Sequence, residues 1–223
     1  MLQALLFDFD GVIVDSEPMH ERALHAAAAS LNLHFTHEMC MARYIGCADR
    51  DAYALICEDN RREPTAAEFE ELSRRKWALA KEAILRNEAP AYPGTLNLIH
   101  EAHGRVPLAI CSGARGREID FILTQLRIRD SFLAVVSADD VRHSKPHPQS
   151  YLQGAALLRV DPTSCIAIED TARGVASAKA AGTRVIAVGH TLPREQLREA
   201  DRFVENSGEL HFESLWPRSC SHL

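Results

Sequence analysis

The sequence lacks three features that would each indicate a particular class of protein. None of its six cysteines belongs to a C-x-x-C pair, so neither a zinc knuckle nor a disulfide framework is expected. The first apolar run, residues 2–7, ends at Asp8 and is too short for a signal sequence or a membrane-spanning helix. We therefore expect a cytoplasmic protein with free thiols and no membrane partner.

An excess of positive charge is also absent. The formal net charge is -6 at pH 7, whereas proteins that hold nucleic acid by neutralising its phosphates present a basic face. The 223 residues are 46% hydrophobic and 25% charged, which is ordinary globular composition and allows one sizeable core with a smaller appendage. We expect no nucleic-acid partner, and a local basic pocket for a small anion stays open.

Short apolar runs alternate with segments of helical length. The runs are mostly continuous rather than alternating in polarity, as in strands of a parallel sheet that helices cover on both faces. This pattern predicts an α/β fold with a doubly wound, Rossmann-like parallel sheet, whose ligand crevice lies at the carboxyl ends of the strands. The predicted strands cover residues 3–9, 106–111, 133–137, 165–168 and 184–188, and the predicted helices between them cover 116–126, 148–158 and 174–181.

Between the first and second predicted strands the alternation stops, and only helices are predicted. They cover residues 21–31, 37–44, 49–57 and 66–86, the last with no internal Gly or Pro. We predict a small all-helical cap domain over residues 16–87, inserted into a core made of residues 1–15 and 88–223. Pro90 and Pro93 favour a return hinge over residues 87–94.

The strongest chemical signal follows the first predicted strand, where Asp8 and Asp10 precede Gly11. One interpretation is structural: two solvated acids at a strand end, with Gly11 forming a turn. Buried like charges side by side are costly without a cation or a shared proton. A strand-end acid pair within an apolar segment therefore favours a functional site.

Three further polar motifs follow predicted strands. Ser112 comes after the second strand, Lys145 precedes Pro146, and Glu169 and Asp170 end another strand. Each alone has a simple structural explanation, namely a turn, a surface lysine or solvated acids. Their conjunction is the informative feature, because carboxyl ends of parallel strands share one edge of a sheet.

Together these motifs resemble those of the haloacid dehalogenase-like phosphotransferases. The chain has D-x-D-G-V at residues 8–12, then Ser112, Lys145 before a proline, and an acidic pair at residues 169–170. The helical insertion straight after the first motif resembles the subgroup of β-phosphoglucomutase and the sugar-phosphate phosphatases.

The resemblance implies phosphoryl transfer. Asp8 would attack phosphorus and form an aspartyl phosphate, while Asp10 would act as general acid and then general base. Ser112 and Lys145 would hold the oxygens of the transferring group. The partner would be a small phosphate ester, and we expect a monomer or a weak homodimer.

The resemblance also implies Mg²⁺ as the cofactor. Its ligands would be Asp8, Asp170 and the main-chain carbonyl of Asp10, since Mg²⁺ prefers oxygen ligands. Glu169 would be either a direct ligand or a residue behind the ligands, and the sequence leaves both open.

The resemblance places substrate contacts on the cap as well as on the core. For the polar cap residues the alternative is plain exposure to solvent. Gly46 is the exception, because a cap loop that approaches a ligand closely needs a residue without Cβ. The expected substrate contacts are His20, Gly46, Arg50, Lys76, Ser112, Gly113, Arg115 and Lys145.

Three functions stay open at this point: a phosphatase, a β-phosphoglucomutase-type mutase and a non-catalytic binding protein. Loop 113–116 lacks the Ser and Asn that such mutases place there for a second phosphate. We therefore favour the phosphatase, with Arg115 as the one residue of the loop that could hold a second phosphate alone. Carboxylates at strand ends disfavour the non-catalytic protein, because they are costly to keep without a metal.

Overall fold

A six-stranded parallel sheet forms the centre of the computed structural model, which describes residues 2–215. Apart from the edge strands and the exposed Arg184, its strands are short, mostly apolar and buried on both faces, as expected where helices cover both sides. The strands are β1 (Ala4–Phe7), β2 (Leu108–Cys111), β3 (Ala134–Val136), β4 (Cys165–Glu169), β5 (Arg184–Val188) and β6 (Arg202–Val204). Their order in the sheet is β3-β2-β1-β4-β5-β6, so the direction of winding reverses between β1 and β4.

Nine α-helices lie within the described residues. They are α1 (Glu17–Ala29), α2 (His37–Met39), α3 (Asp49–Asp59), α4 (Ala66–Leu85), α5 (Pro93–Ala102), α6 (Gly116–Leu126), α7 (Gln149–Leu158), α8 (Ala172–Ala180) and α9 (Phe212–Leu215). Side chains of α5 and α6 pack with Leu5 and Phe7 of β1, while those of α7 and α8 pack with Ala4 and Leu6. Successive residues of β1 thus face opposite layers, which is the arrangement of a doubly wound sheet.

Helices α1–α4 form the insertion, and a single turn of π-helix, Cys40–Tyr44, follows α2. The insertion has a hydrophobic cluster of its own, which includes Leu24, Tyr53 and Leu72. Thr65 caps α4, because its hydroxyl accepts a hydrogen bond from the Glu68 amide at 3.3 Å. The predicted fold class, a parallel sheet with an inserted helical cap, is confirmed.

The chain leaves and re-enters the core along two adjacent segments. Asp15 donates its amide to the Pro90 carbonyl at 2.8 Å, and Tyr92 donates to Ile13 at 2.9 Å. This pairing agrees with a cap of residues 16–87 between core segments 1–15 and 88–223, and we keep those boundaries as a prediction.

The structure differs from the sequence-based elements at several ends. Helix α1 begins at Glu17 instead of residue 21, because Pro18 is accommodated in the first turn, where amides lack intrahelical partners. Three of the numbered elements were not predicted: α5, which starts at Pro93 inside the expected return hinge, the short edge strand β6 and the four-residue helix α9.

Two expectations concern the whole chain. Among residues 2–215 no helix is both long and apolar enough to cross a membrane. Five cysteines, Cys40, Cys47, Cys57, Cys111 and Cys165, have free thiols, and Cys220 lies outside the described residues.

Candidate active site

Asp8 lies at the centre of the site, one residue beyond β1 and 8% exposed. Its amide donates to the Ile168 carbonyl at 3.0 Å, which fixes it beside the end of β4 at the point where the sheet reverses. Lys145 places its ammonium 2.9 Å from Asp8 Oδ2. Burial and Glu169 raise the pKa of Asp8 to about 8, although Lys145 acts to lower it. In this arrangement one cation faces more buried negative charge than it can neutralise.

The Glu169 carboxylate is fully buried, and hydrogen bonds occupy both of its oxygens. Oε1 accepts from the Lys145 ammonium at 2.5 Å and from the Tyr151 hydroxyl at 2.6 Å. Oε2 accepts from the Asp170 amide at 3.2 Å and from the Thr171 hydroxyl at 3.3 Å. Glu169 therefore orients Lys145, and the ammonium lies between two carboxylates.

Asp170 differs sharply from Glu169. Its side chain is fully buried, yet neither carboxylate oxygen has a hydrogen-bond partner of normal geometry among residues 2–215. Burial and Asp8 raise the pKa of Asp170 well above its ordinary value, with Thr191 as the hydroxyl that opposes the shift. Leaving a buried carboxylate unpaired costs free energy, so a cation is the expected partner.

Oxygen atoms of Asp8, Glu169 and Asp170 lie within 4.8 Å of one another. This set of hard donors fits Mg²⁺. Gly11 provides the space that the Asp170 carboxylate occupies, because a Cβ at this position would come 1.8 Å from Asp170 Oδ2. Its φ of +70° also favours glycine. Because both oxygens of Asp170 are unpartnered, whereas hydrogen bonds occupy both oxygens of Glu169, Asp170 is a stronger candidate ligand than Glu169. Asp8, whose oxygens contact the Phe9 amide and the Lys145 ammonium, is a further candidate.

Ser112 follows β2 and is 2% exposed. Its amide donates to the Val136 carbonyl at 2.9 Å, and its hydroxyl accepts from the Ala114 amide at 2.9 Å. Ser112 is thus held just before α6, and Lys145 lines the same pocket. Ser112 and Lys145 are therefore candidates to bind one anion, and of the two Lys145 contacts Asp8 directly.

Asp10 turns away from the acidic cluster and towards the cap. Its Oδ1 accepts from the Ser16 hydroxyl at 2.5 Å and lies 3.0 Å from His20 Nε2. Burial acts to raise the pKa of Asp10, but His20, Ser16 and Lys76 together lower it to about 2. The Asp10 carboxylate therefore lies outside the candidate metal cluster and links the core to the first cap helix.

A cavity between core and cap contains most of the predicted residues. Asp8, Asp10, His20, Gly46, Lys76, Gly113 and Lys145 all line it.

Two cap residues of this cavity are closely packed. The Lys76 ammonium is buried and lies 2.5 Å from Asp49 Oδ1; burial opposes its charge, but Asp49 and Glu118 outweigh that effect and raise the pKa of Lys76. Gly46 has φ +70°, and a Cβ on it would lie 3.1 Å from Thr171. A substitution at Gly46 would therefore strain the loop and press on the strand-end motif.

Arg50 and Arg115 lie in a neighbouring pocket, which Ser112, Gly113 and Lys145 also line but Asp8 does not. Arg50 is exposed, with its guanidinium carbon 5.6 Å from the centre of the Phe69 ring. Arg115 pairs with Asp139 at 3.0 Å and donates to the Ser73 hydroxyl at 2.8 Å. These two predicted contacts are thus not brought next to Asp8.

Several polar residues of the site were not among the expected substrate contacts. Tyr151 lies on the apolar face of α7, where an aromatic residue normally indicates core packing. Asp49 and Glu118 lie in the first turns of α3 and α6, where acids are common because they stabilise a helix N-terminus. Only the spacing of Tyr151 six residues after Lys145 offered a signal, and it is a weak one.

This geometry agrees with the comparisons to known proteins. The model of the family described as "Haloacid dehalogenase-like hydrolase" matches residues 5–188. Fructose-1-phosphate phosphatase YqaB of Escherichia coli is 32% identical over 186 residues, which cover 82% of this chain and 95% of that protein. Beta-phosphoglucomutase of Bacillus subtilis is 30% identical over 220 residues, covering 96% and 94%.

A solved structure agrees at the level of the fold. Beta-phosphoglucomutase from Clostridium difficile superposes with a TM-score of 0.86 at 25% identity, covering 96% of this chain and 95% of that one. These relatives agree with the sheet order, the strand-end acids and the helical insertion described above. The protein is therefore an enzyme that belongs to the haloacid dehalogenase-like hydrolases.

Proposed function

We propose that the protein is a Mg²⁺-dependent phosphatase of small phosphorylated metabolites, most readily sugar monophosphates. The observation that carries the proposal is the position of Asp8 between the Lys145 ammonium and the unpartnered Asp170 carboxylate. A carboxylate can attack a dianionic phosphate only where cations offset the repulsion. The relatives include both phosphatases and a mutase, so the reaction itself is our inference.

Asp8 Oδ attacks phosphorus as the bond from phosphorus to the ester oxygen breaks, which leaves an aspartyl phosphate. Lys145 and Ser112 hold oxygens of the transferring group. Asp8 and Asp170 would hold Mg²⁺, with the main-chain carbonyl of Asp10 as a further ligand, and the ion would supply charge neutralisation at the phosphoryl oxygens. Glu169 keeps the Lys145 ammonium in position.

Asp10 serves as the proton carrier. It is ionised in the ligand-free arrangement, but a dianionic phosphate bound beside it favours its neutral form. Asp10 then protonates the departing ester oxygen, and the resulting carboxylate removes a proton from the water that attacks the aspartyl phosphate. Hydrolysis regenerates the Asp8 carboxylate, leaves Asp10 protonated and releases inorganic phosphate. As the phosphate leaves, Asp10 returns to solvent the proton that it took up when the substrate bound.

The mutase is the second candidate, because His20 contacts the general acid from the cap and a mutase is among the relatives. In a mutase a sugar hydroxyl, rather than water, resolves the aspartyl phosphate. Against it, loop 113–116 offers no hydroxyl or amide side chain for a second phosphate, and the Arg115 guanidinium is already paired.

The test is a screen of phosphorylated metabolites with Mg²⁺ that measures phosphate release and isomer formation on the same sample. We expect phosphate release from hexose monophosphates to be faster than isomer formation. Isomer formation is measured as the conversion of β-glucose 1-phosphate into glucose 6-phosphate in the presence of a trace of bisphosphate activator. Faster isomer formation would favour the mutase. Absence of both reactions would favour a binding protein. We also propose that the protein is cytoplasmic and that it is a monomer or a weak homodimer.

A further inference from the structure

Glu118 is a buried carboxylate that the proposed mechanism does not use. It lies in the first turn of α6, is 3% exposed and lines the cavity between core and cap. Within residues 2–215 neither of its oxygens makes a hydrogen bond or an ion pair, and Oε1 is fully buried. An acid in a first turn needs no burial to stabilise its helix, so the helix does not account for this position.

The charges around Glu118 restrict what could bind it. Lys76 is the nearby cation, but its ammonium pairs with Asp49 at 2.5 Å. His20 is likewise engaged, through Nε2, with Asp10 at 3.0 Å. Burial raises the pKa of Glu118, and Lys76 offsets the shift only in part. Glu118 is thus a buried carboxylate of this cavity that lacks a hydrogen-bond donor among residues 2–215; Glu17 lines the same cavity without a donor but is more exposed.

The chemistry of a suitable ligand follows from these contacts. A second phosphate at this end of the cavity would meet two carboxylates, Glu118 and Asp49, against the single Lys76 ammonium, which is already paired with Asp49, so repulsion prevails. An ammonium group would meet the charge of Lys76. A neutral hydroxyl can donate to Glu118 without either penalty, and the buried Nδ1 of His20, which has no partner in the described residues, offers a second polar contact.

From this geometry we propose that Glu118 selects the substrate by accepting a hydrogen bond from a hydroxyl at its non-phosphorylated end. The preferred substrate class is therefore polyhydroxylated monophosphate esters, to the exclusion of bisphosphates. The inference rests on the proposed function, because it assumes that the phosphate group occupies the Asp8 end. A site that hydrogen-bonds a substrate hydroxyl discriminates strongly, since a ligand without it leaves the buried acceptor unpaired.

The test measures binding, so it needs no turnover. The Asp8→Asn variant, loaded with Mg²⁺, is titrated calorimetrically with a hexose monophosphate, a hexose bisphosphate and inorganic phosphate. Glu118→Gln added to this background should raise the Kd of hexose monophosphate at least tenfold while changing the Kd of inorganic phosphate less than twofold. Glu118→Ala should act in the same direction, and Glu70→Gln, an exposed cap carboxylate, is the matched control.

Each contrary result overturns the inference. Equal weakening of hexose monophosphate binding and inorganic phosphate binding would mean that Glu118 acts on the phosphate site or on folding. Equal affinity for hexose bisphosphate and hexose monophosphate would contradict the argument from charge. No saturable binding of hexose monophosphate, or no change with Glu118→Gln, would also overturn it. If the unsubstituted protein releases no phosphate although binding depends on Glu118, the proposed function fails and the inference stands.

Discussion

The two walls of the cavity between core and cap differ in how their buried charges are paired. On the core wall, the strand register places Asp8 beside Glu169 and Asp170 with Lys145 as their cation, and Asp170 is left unpaired. The opposite wall, called the cap wall here, combines the cap helices with the first turn of the core helix α6. There Lys76 pairs with Asp49 and His20 contacts Asp10, whereas the buried Glu118 carboxylate has no cation of its own among residues 2–215.

This difference separates two tasks. The core wall has more buried carboxylates than the Lys145 ammonium can neutralise, an arrangement that a bound metal ion would complete. The cap wall lacks only a hydrogen-bond donor, which a neutral ligand supplies. In the proposed function, phosphoryl transfer is therefore assigned to the strand ends, and the choice of substrate to the helices that face them.

The largest expected effect is on the core wall. Asp8→Asn should lower phosphate release by about 10³-fold or more, because an amide cannot attack phosphorus. The melting temperature should not fall, since the change removes one of three buried like charges at constant size. Phosphate release and thermal unfolding are the two measurements, and near-normal turnover by this variant would contradict the covalent mechanism.

The second expected effect tests whether a cation completes the core wall. Mg²⁺ at about 100 times its Kd should stabilise the unsubstituted protein by about 2.7 kcal/mol, and Asp170→Asn should abolish that rise in melting temperature. Without metal the variant should be at least as stable as the parent, because neither Asp170 oxygen has a hydrogen-bond partner of normal geometry among residues 2–215. Exposed Asp130→Asn is the control, and an undiminished Mg²⁺ response in Asp170→Asn would refute the site.

The third expected effect distinguishes Glu169 from Asp170. Glu169→Gln should reduce turnover by about 10–100-fold, as when the partner of a catalytic ligand is lost, because Lys145 loses one of its two carboxylates. The Mg²⁺-dependent rise in melting temperature should persist. If the rise disappears as it does in Asp170→Asn, Glu169 is a direct ligand.

The core wall could be predicted from sequence further than the cap wall. Asp8 and Asp170 follow apolar strands, and parallel strands bring their carboxyl ends to one edge, so position along the chain was enough. The state of Glu169 could not be predicted, because it depends on Lys145 and Tyr151, which lie 24 and 18 residues away in the chain.

On the cap wall, helices bring polar side chains together by packing, which the local pattern does not encode. Glu118 has the sequence context of an ordinary helix-start acid, and only the position of the cap reveals its burial. The same reason explains why β6 was missed, since a three-residue edge strand carries little pattern.

The smallest expected effect concerns Arg115, which lies outside both walls. Its guanidinium pairs with Asp139 and donates to the Ser73 hydroxyl. To bind a second phosphate, the guanidinium would therefore have to leave both partners. Arg115→Ala should change the KM for hexose monophosphates by less than about threefold and lower the free energy of unfolding by about 0.5–1 kcal/mol, as for a partly exposed ion pair. Steady-state kinetics and urea unfolding measure these quantities. A KM that rises tenfold, with isomer formation lost from the same sample, would mean that Arg115 anchors the far end of a bisphosphate. The neighbouring pocket would then belong to the site, and the mutase would replace the phosphatase.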